Sequence, residues 1–409
     1  MPHTPTPDAP PAAASPQPVP KRPAGASRRS GIPSFIVMDV MAAAAAREAS
    51  GADVIHMEVG QPATPAPRAA RAALAAALDR DALGYTLALG TTPLRQRIAR
   101  HYRDLYGVDV APERVVVTAG SSAAFVLAFL AAFDEGARVG LPSPGYPCYR
   151  HILTALGCTP SILVTDAASR WMPTPEQIAA EADGAGLDGL LIASPANPTG
   201  TMLEPERLAA IARLCEQRGI WFISDEIYHG LTYGQRAQTA LAHSDDAIVI
   251  NSFSKYFSMT GWRIGWMIVP ERLVRPIERL AQNLYISPPS PAQVAALGAF
   301  EGTDELEANR RVYEANRALL LAELPKAGLA DIVPADGAFY LYVDVSAFTD
   351  DSLAFARLML DETGVAATPG VDFDEVRGRR YLRFSYAGST ADMAEAARRL
   401  QAWPRLRRG

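Results

Sequence analysis

Between about residues 65 and 300 the chain repeats one pattern: a short apolar run, a polar turn, then a longer stretch of helical periodicity. The runs Val115–Thr118, Arg138–Leu141, Leu190–Ala193, Trp221–Ser224, Ile248–Asn251 and Ile264–Val269 carry few polar groups inside them. Strands that are apolar on both faces need cover on both. Strands separated by helical crossovers pair in parallel. The pattern therefore predicts a mostly parallel sheet between two helical layers, an α/β fold. In such sheets the loops leaving the carboxyl ends of the strands build the site.

Three of those ends carry chemistry. After Ala247–Ile250 comes Asn251-Ser252-Phe253-Ser254-Lys255, with Arg263 eight residues beyond the lysine. A lysine buried at a strand end must lose its charge or find a partner, and its neutral amine is the nucleophile of Schiff-base chemistry. Ser252, Ser254 and Arg263 supply hydroxyl donors and a charged fork suited to a dianion. A carbonyl and a phosphate on one small molecule point to pyridoxal phosphate. Upstream, Leu191–Ala193 runs into Ser194-Pro195-Ala196-Asn197-Pro198-Thr199-Gly200, and Trp221–Ser224 ends on Asp225, with Tyr228 three residues on. Asp225 can hold a pyridine nitrogen protonated, which makes the ring an electron sink. Asn197 and Tyr228 can donate to the ring's phenolic oxygen. Each has a plainer use alone, as a turn, a helix cap or a core tyrosine. Their order and spacing make a set.

As a set they resemble the motifs of the fold-type I pyridoxal-phosphate enzymes, in the class I/II aminotransferase family, and the likeness runs from about residue 31 to the C-terminus. Asparagine in an N-P-x-G turn, D-x-x-Y, and S-x-S-K followed by arginine are all present. The resemblance implies a three-layer, mostly parallel seven-stranded sheet with a smaller α+β domain. It implies Lys255 as the Schiff-base lysine, Asp225 on the ring nitrogen, Asn197 and Tyr228 on the phenolic oxygen, and Ser252, Ser254 and Arg263 at the phosphate. Ser121 and Ser122 open an apolar helix after Val115–Val117, and a helix N-terminus is an anion site, so they complete the phosphate cup. Tyr146, in Pro142-Ser143-Pro144-Gly145-Tyr146-Pro147, stands where the family stacks an aromatic ring on the pyridine. Tyr85 resembles the tyrosine that reaches the phosphate from a neighbouring subunit, which implies a homodimer with shared active sites. Arg383 lies in a strand of alternating apolar residues, where a guanidinium needs an anion. By family position it grips the substrate carboxylate, with Asn197 and the backbone of Gly60 alongside. Arg380 is its rival by sequence but stands at the strand's charged entrance.

The chain's 409 residues suggest more than one domain. Residues 1–30 are rich in proline and alanine and are expected to be disordered. Residues 31–64 form an arm belonging to a small domain, 65–300 the large cofactor domain, and 301–409 the small C-terminal domain. A helix is read over Ala42–Ala46, a long helical segment over Pro291–Leu324, and strands over Phe339–Val343 and Tyr381–Phe384. A net charge of −5 argues against nucleic acid as the main partner. Cys148, Cys158 and Cys215 have no metal-ligand spacing, and no metal is expected. No apolar run approaches the roughly 18 residues of a membrane span. Arg28-Arg29 is not followed by the apolar stretch of an export signal. A cytoplasmic enzyme is the expected class.

The resemblance implies transfer of an amino group between an L-amino acid and a 2-oxo acid in amino-acid metabolism, including biosynthesis. Relatives of the same fold that break C–S bonds or decarboxylate form the alternative. A regulatory module is less consistent, since such relatives place a winged helix-turn-helix ahead of the fold and residues 1–30 cannot make one. A nicotinamide enzyme lacks its G-x-G-x-x-G after the first strand. Ile32-Pro33-Ser34-Phe35 resembles an arm that covers the substrate in some relatives, which suggests room for an apolar side chain.

Overall fold

The structure is a computed structural model and describes residues 25–407. Residues 1–24, most of the segment expected to be disordered, lie outside the described residues. Arg28–Ser30 form a single 3-10 turn with nothing buried.

The strands are β1 (Ile55–His56), β2 (Val115–Thr118), β3 (Arg138–Ser143), β4 (Thr159–Val164), β5 (Gly189–Ala193), β6 (Trp221–Asp225), β7 (Ile248–Ser252), β8 (Gly265–Ile268), β9 (Tyr340–Asp344), β10 (Val365–Ala366), β11 (Thr368–Pro369) and β12 (Tyr381–Ser385). Seven form one sheet in the order β2-β8-β7-β6-β5-β3-β4. All its pairs are parallel except the two made by β8, which runs against both β2 and β7. Alternation within the strands divides the core. Val115, Val117, Leu190, Ile192 and Val249 face one side, where they meet Leu94, Ile98, Leu208 and Ile211. Val116, Leu191, Ile223 and Ile250 face the other and meet Phe125, Phe129, Leu153 and Ile277. Two helical layers on one buried sheet give the three-layer architecture expected from the strand pattern.

The helices are α1 (Ile36–Ala49), α2 (Arg68–Leu78), α3 (Thr92–Tyr106), α4 (Ser121–Ala132), α5 (Pro147–Ala155), α6 (Pro175–Gly184), α7 (Pro205–Arg218), α8 (Glu271–Leu284), α9 (Ser290–Ala299), α10 (Thr303–Glu323), α11 (Ser352–Thr363) and α12 (Thr390–Ala402). The segment read as one helix over Pro291–Leu324 is two, α9 and α10, parted at Gly302. A Cβ there would come 2.6 Å from Pro67, so the chain is pressed against its neighbour where it turns. Strand β4 escaped the sequence reading. It is an edge strand with only Ser161 and Leu163 buried, and its outer face, including Ile162 and Val164, is exposed.

A second core gathers the C-terminal part. Strands β11, β12 and β9 form an antiparallel sheet, and β1 pairs in parallel with β10. Phe339, Leu341, Val343, Leu382 and Phe384 pack there with Leu320 of α10 and with Met393 and Leu400 of α12. Through β1, residues from the arm join this core. Arg383 in β12 stands opposite Tyr342 of β9 and Thr368 of β11.

Candidate active site

At the carboxyl end of β7 the chain folds back on itself. Ser252 Oγ lies 3.1 Å from the Ile264 carbonyl, 2.9 Å from Ser254 Oγ and 3.1 Å from the Ser254 amide. Arg263 adopts a left-handed φ of 52° and its Nη1 donates to the Thr260 carbonyl at 2.9 Å. Its guanidinium lies over Gly120, whose φ is +79° and where a Cβ would stand 2.5 Å from Nη2. Only glycine leaves that space. The next residue, Ser121, begins α4 and is half-buried, and Ser122 is exposed. One edge thus collects a guanidinium, hydroxyls and the free amides of a helix start, a donor set suited to an anion.

Lys255 follows on the same edge. Its Nζ donates to the Gly60 carbonyl at 2.6 Å. Burial, reinforced by the charges of Arg383 and Arg263, pulls its pKa down to about 8, with Asp225 opposing. An appreciable fraction is then neutral amine near physiological pH. Asp225, 3% exposed at the end of β6, is pushed up to about 6 by burial. It is held against that by a hydrogen bond from the Tyr149 hydroxyl, by the Ile227 amide at 3.1 Å and by the Lys255 charge. Tyr149 also packs edge-on against Tyr146, with ring centroids 5.2 Å apart.

Arg383 enters from the second core and is 2% exposed. Its Nη1 donates to Asn197 Oδ1 at 2.9 Å, and its Nη2 donates to the Glu58 carbonyl and, at 3.2 Å, to Thr368 Oγ1. The guanidinium lies between two aromatic rings, 4.3 Å from the centroid of Tyr340 and 4.7 Å from that of Phe373. Its Nε is buried and has no hydrogen-bond partner among the described residues. Tyr340 in turn puts its hydroxyl 2.8 Å from that of Tyr228 and lies directly on Gly60, where any side chain would overlap it.

The structure thus brings Lys255, Asp225, Asn197, Tyr228, Gly60, Arg383 and Tyr146 into one set of contacts, with Ser252, Ser254, Arg263, Ser121 and Ser122 beside them. Tyr85 does not join. It is 83% exposed, on a loop tied to Ser290 through the Gly84 carbonyl. Arg380 stays at the surface and pairs with Asp344 at 3.2 Å. Tyr149, Tyr340, Thr368 and Phe373 were not found from sequence. A signal existed for Tyr340: tyrosines alternate at 340 and 342 within an apolar strand, so one face of β9 carries polar tips. Tyr149 follows Tyr146 by three residues on a helix, a spacing equally common in plain packing.

Residues 52–400 match the family model described as aminotransferase class I and II. The chain is 50% identical to the valine–pyruvate aminotransferase of Mycobacterium tuberculosis over 92% of its own length and 97% of that enzyme's. Among solved structures, a putative aminotransferase from Silicibacter pomeroyi superposes with a TM-score of 0.86 at 56% identity, covering 92% of this chain and 98% of that one. The aspartate aminotransferase of Thermus thermophilus with maleate gives a TM-score of 0.88 at 30% identity, covering 92% and 99%. The chain therefore belongs to the class I and II aminotransferase family and is an enzyme that moves an amino group between an amino acid and a 2-oxo acid.

Proposed function

We propose that this aminotransferase works with pyridoxal phosphate carried on Lys255. The observation that carries the reading is the convergence at one sheet edge of Lys255, whose pKa is drawn down to about 8, with a buried aspartate and a buried arginine. The donor set fits the cofactor. Ser252, Ser254, Arg263 and the start of α4 with Ser121 and Ser122 would take the phosphate. Asp225 would hold the ring nitrogen, Asn197 and Tyr228 the phenolic oxygen, and Tyr146 a ring face. The cofactor, when bound, supplies an electron sink that acidifies the substrate's Cα–H bond. Lys255, once its amine is free, removes and returns that proton as general base and acid. Arg383 orients the substrate through its α-carboxylate. Asn197 Oδ1 and the Glu58 carbonyl fix the fork, and the Tyr340 and Phe373 rings keep water from its faces.

The substrate reading is a small apolar amino acid with pyruvate as acceptor, supported by the 50% identity to a valine–pyruvate aminotransferase and by apolar Phe35 lying against Tyr146. The active unit is a homodimer in the cytoplasm, with Tyr85 serving the neighbouring site. Leu78, Tyr85, Leu87, Leu284 and Ile286 are all exposed, the kind of apolar surface an interface uses. The arm at 31–64 works with the 301–409 domain, and 65–300 is the cofactor domain. The test is a panel of amino donors, valine, alanine, leucine, aspartate and glutamate, against pyruvate and 2-oxoglutarate. Valine or alanine with pyruvate should give the highest kcat/KM. A preference for aspartate, or release of ammonia in place of amino transfer, would refute the substrate reading.

A further inference from the structure

Helix α1 starts without a cap of its own. Its N-cap position is Phe35, and no side chain there accepts from the helix. The first free amides are met from the far end of the chain: Ile36 N and Val37 N each donate to the Asp372 carboxylate, at 3.3 Å. Asp372 is 1% exposed, in the turn Gly370–Asp372 that follows β11. The helix dipole favours the carboxylate there, and burial, which pushes its pKa up, is opposed by those two amides and by the charges of Arg383 and Arg150.

The turn that carries Asp372 touches the site on two sides. Phe373, next in sequence, lies against the Arg383 guanidinium at 4.7 Å. The Phe373 carbonyl accepts from the Gly145 amide at 3.0 Å, immediately before Tyr146. Phe35, at the end Asp372 holds, packs edge-on against Tyr146 with centroids 5.7 Å apart and ring planes at 88°. The contacts close a loop running from Asp372 to α1, Phe35, Tyr146, Gly145 and Phe373, and back.

We propose that Asp372 is a positioning residue that latches the start of α1, so that Phe35 stays against Tyr146 and walls the substrate side of the site in register with Arg383. This rests on the reading above that Arg383 holds the substrate carboxylate and Tyr146 faces the cofactor. Asp372 itself touches neither. Its effect is to keep a hydrophobic wall seated when the amino acid arrives, and losing it should weaken substrate binding while the cofactor's own contacts stay intact.

Two variants remove the latch from opposite ends. Asp372→Ala removes the acceptor. Ile36→Pro removes one donor at the first helical position, where proline is tolerated, and Phe35 before it is already extended at φ −86°, ψ 102°. Ile36→Ala controls for the lost side chain. In the cofactor-loaded enzyme, hydrogen exchange at Val37 to Met41 should quicken in both variants. KM for the amino donor should rise roughly 2- to 30-fold, the span of a lost helix cap, with kcat and the cofactor dissociation constant within about twofold of the parent. Asp372→Asn, which keeps an acceptor, should fall between. Unchanged exchange would show that there is no latch. Faster exchange with unchanged KM, or loss of cofactor in place of substrate affinity, would overturn the role assigned to it. If Asp372→Ala does not fold, Ile36→Pro carries the test alone. Failure of the underlying cofactor reading would appear separately, as absence of borohydride labelling at Lys255 in the unmodified enzyme.

Discussion

Replacing Asp225 by asparagine should make the cofactor-free protein more stable while nearly abolishing the enzyme. Burial raises the Asp225 pKa from 3.8 to about 6, so the native state holds the proton more tightly than the unfolded chain. The stability linked to that proton is complete below about pH 4 and is lost as pH rises through 6. A gap of about two units at 1.36 kcal/mol each corresponds to about 3 kcal/mol, present as a penalty at pH 8. Asparagine carries no charge to desolvate. Its Oδ1 can keep the Ile227 amide, and its NH2 can donate to the Tyr149 oxygen. Urea unfolding of the two apoproteins, at equal protomer concentration because association also stabilises, should give equal stabilities near pH 4. At pH 8 the asparagine form should lead by up to about 3 kcal/mol. A difference that does not change with pH, or a less stable asparagine form at pH 8, would refute burial as the dominant influence on this carboxyl. With cofactor loaded the order reverses, because asparagine carries no negative charge to keep the ring nitrogen protonated, and kcat should fall by several orders of magnitude.

Lys255→Ala should lose both turnover and the pyridoxyl label that borohydride leaves on the parent, read by mass spectrometry of the peptide; a label elsewhere would move the attachment site. Arg383→Ala should keep cofactor and raise KM roughly 10- to 150-fold, the worth of a charge-assisted hydrogen bond; loss of cofactor with KM intact would reverse its assignment. Gly120→Ala, with its Cβ driven toward Arg263, should weaken cofactor affinity in equilibrium titration while leaving substrate KM in the saturated enzyme unchanged. Inactive Lys255→Ala chains mixed with inactive Tyr85→Ala chains should recover part of the activity, since one hybrid site holds both residues; no recovery despite proven subunit exchange would exclude the shared site.

The large sheet was legible because its central strands are buried on both faces and therefore continuously apolar, as Leu190–Ile192 and Ile248–Ile250 show. The polar residues that end such strands stand out against that background, which is why Lys255 and Asp225 could be picked out at once. What stayed hidden obeys weaker local rules. Strand β4 buries only one face, yet its exposed positions include the apolar Ile162 and Val164 and one of its two buried residues is Ser161, so no alternation marks it, and Pro160 interrupts the run. The break between α9 and α10 falls at Gly302, where a Cβ would come 2.6 Å from Pro67, 235 positions earlier in the chain. Asp372 gives no local sign of its use, because its partners lie 336 and 335 residues upstream.

The reversed strand β8 sets a limit on how this chain can change its length. Since β8 runs against β7, the link from Lys255 to Arg263 leaves and re-enters the sheet at one edge, with Phe253 N bound to the Ile264 carbonyl and Met259 N to the Phe253 carbonyl. Beyond it, Gly265 is wedged against the Asn251 carbonyl and the Ser121 amide, at 2.9 and 3.0 Å from where a Cβ would stand. Helical crossovers elsewhere can gain or lose a turn at the far side of the sheet without disturbing the strand ends. Here an inserted or deleted residue has nowhere to go, because it would slide Arg263 past Gly120 or pull Lys255 off Gly60. The segment behaves as a ruler between two cations, intolerant of any change in count.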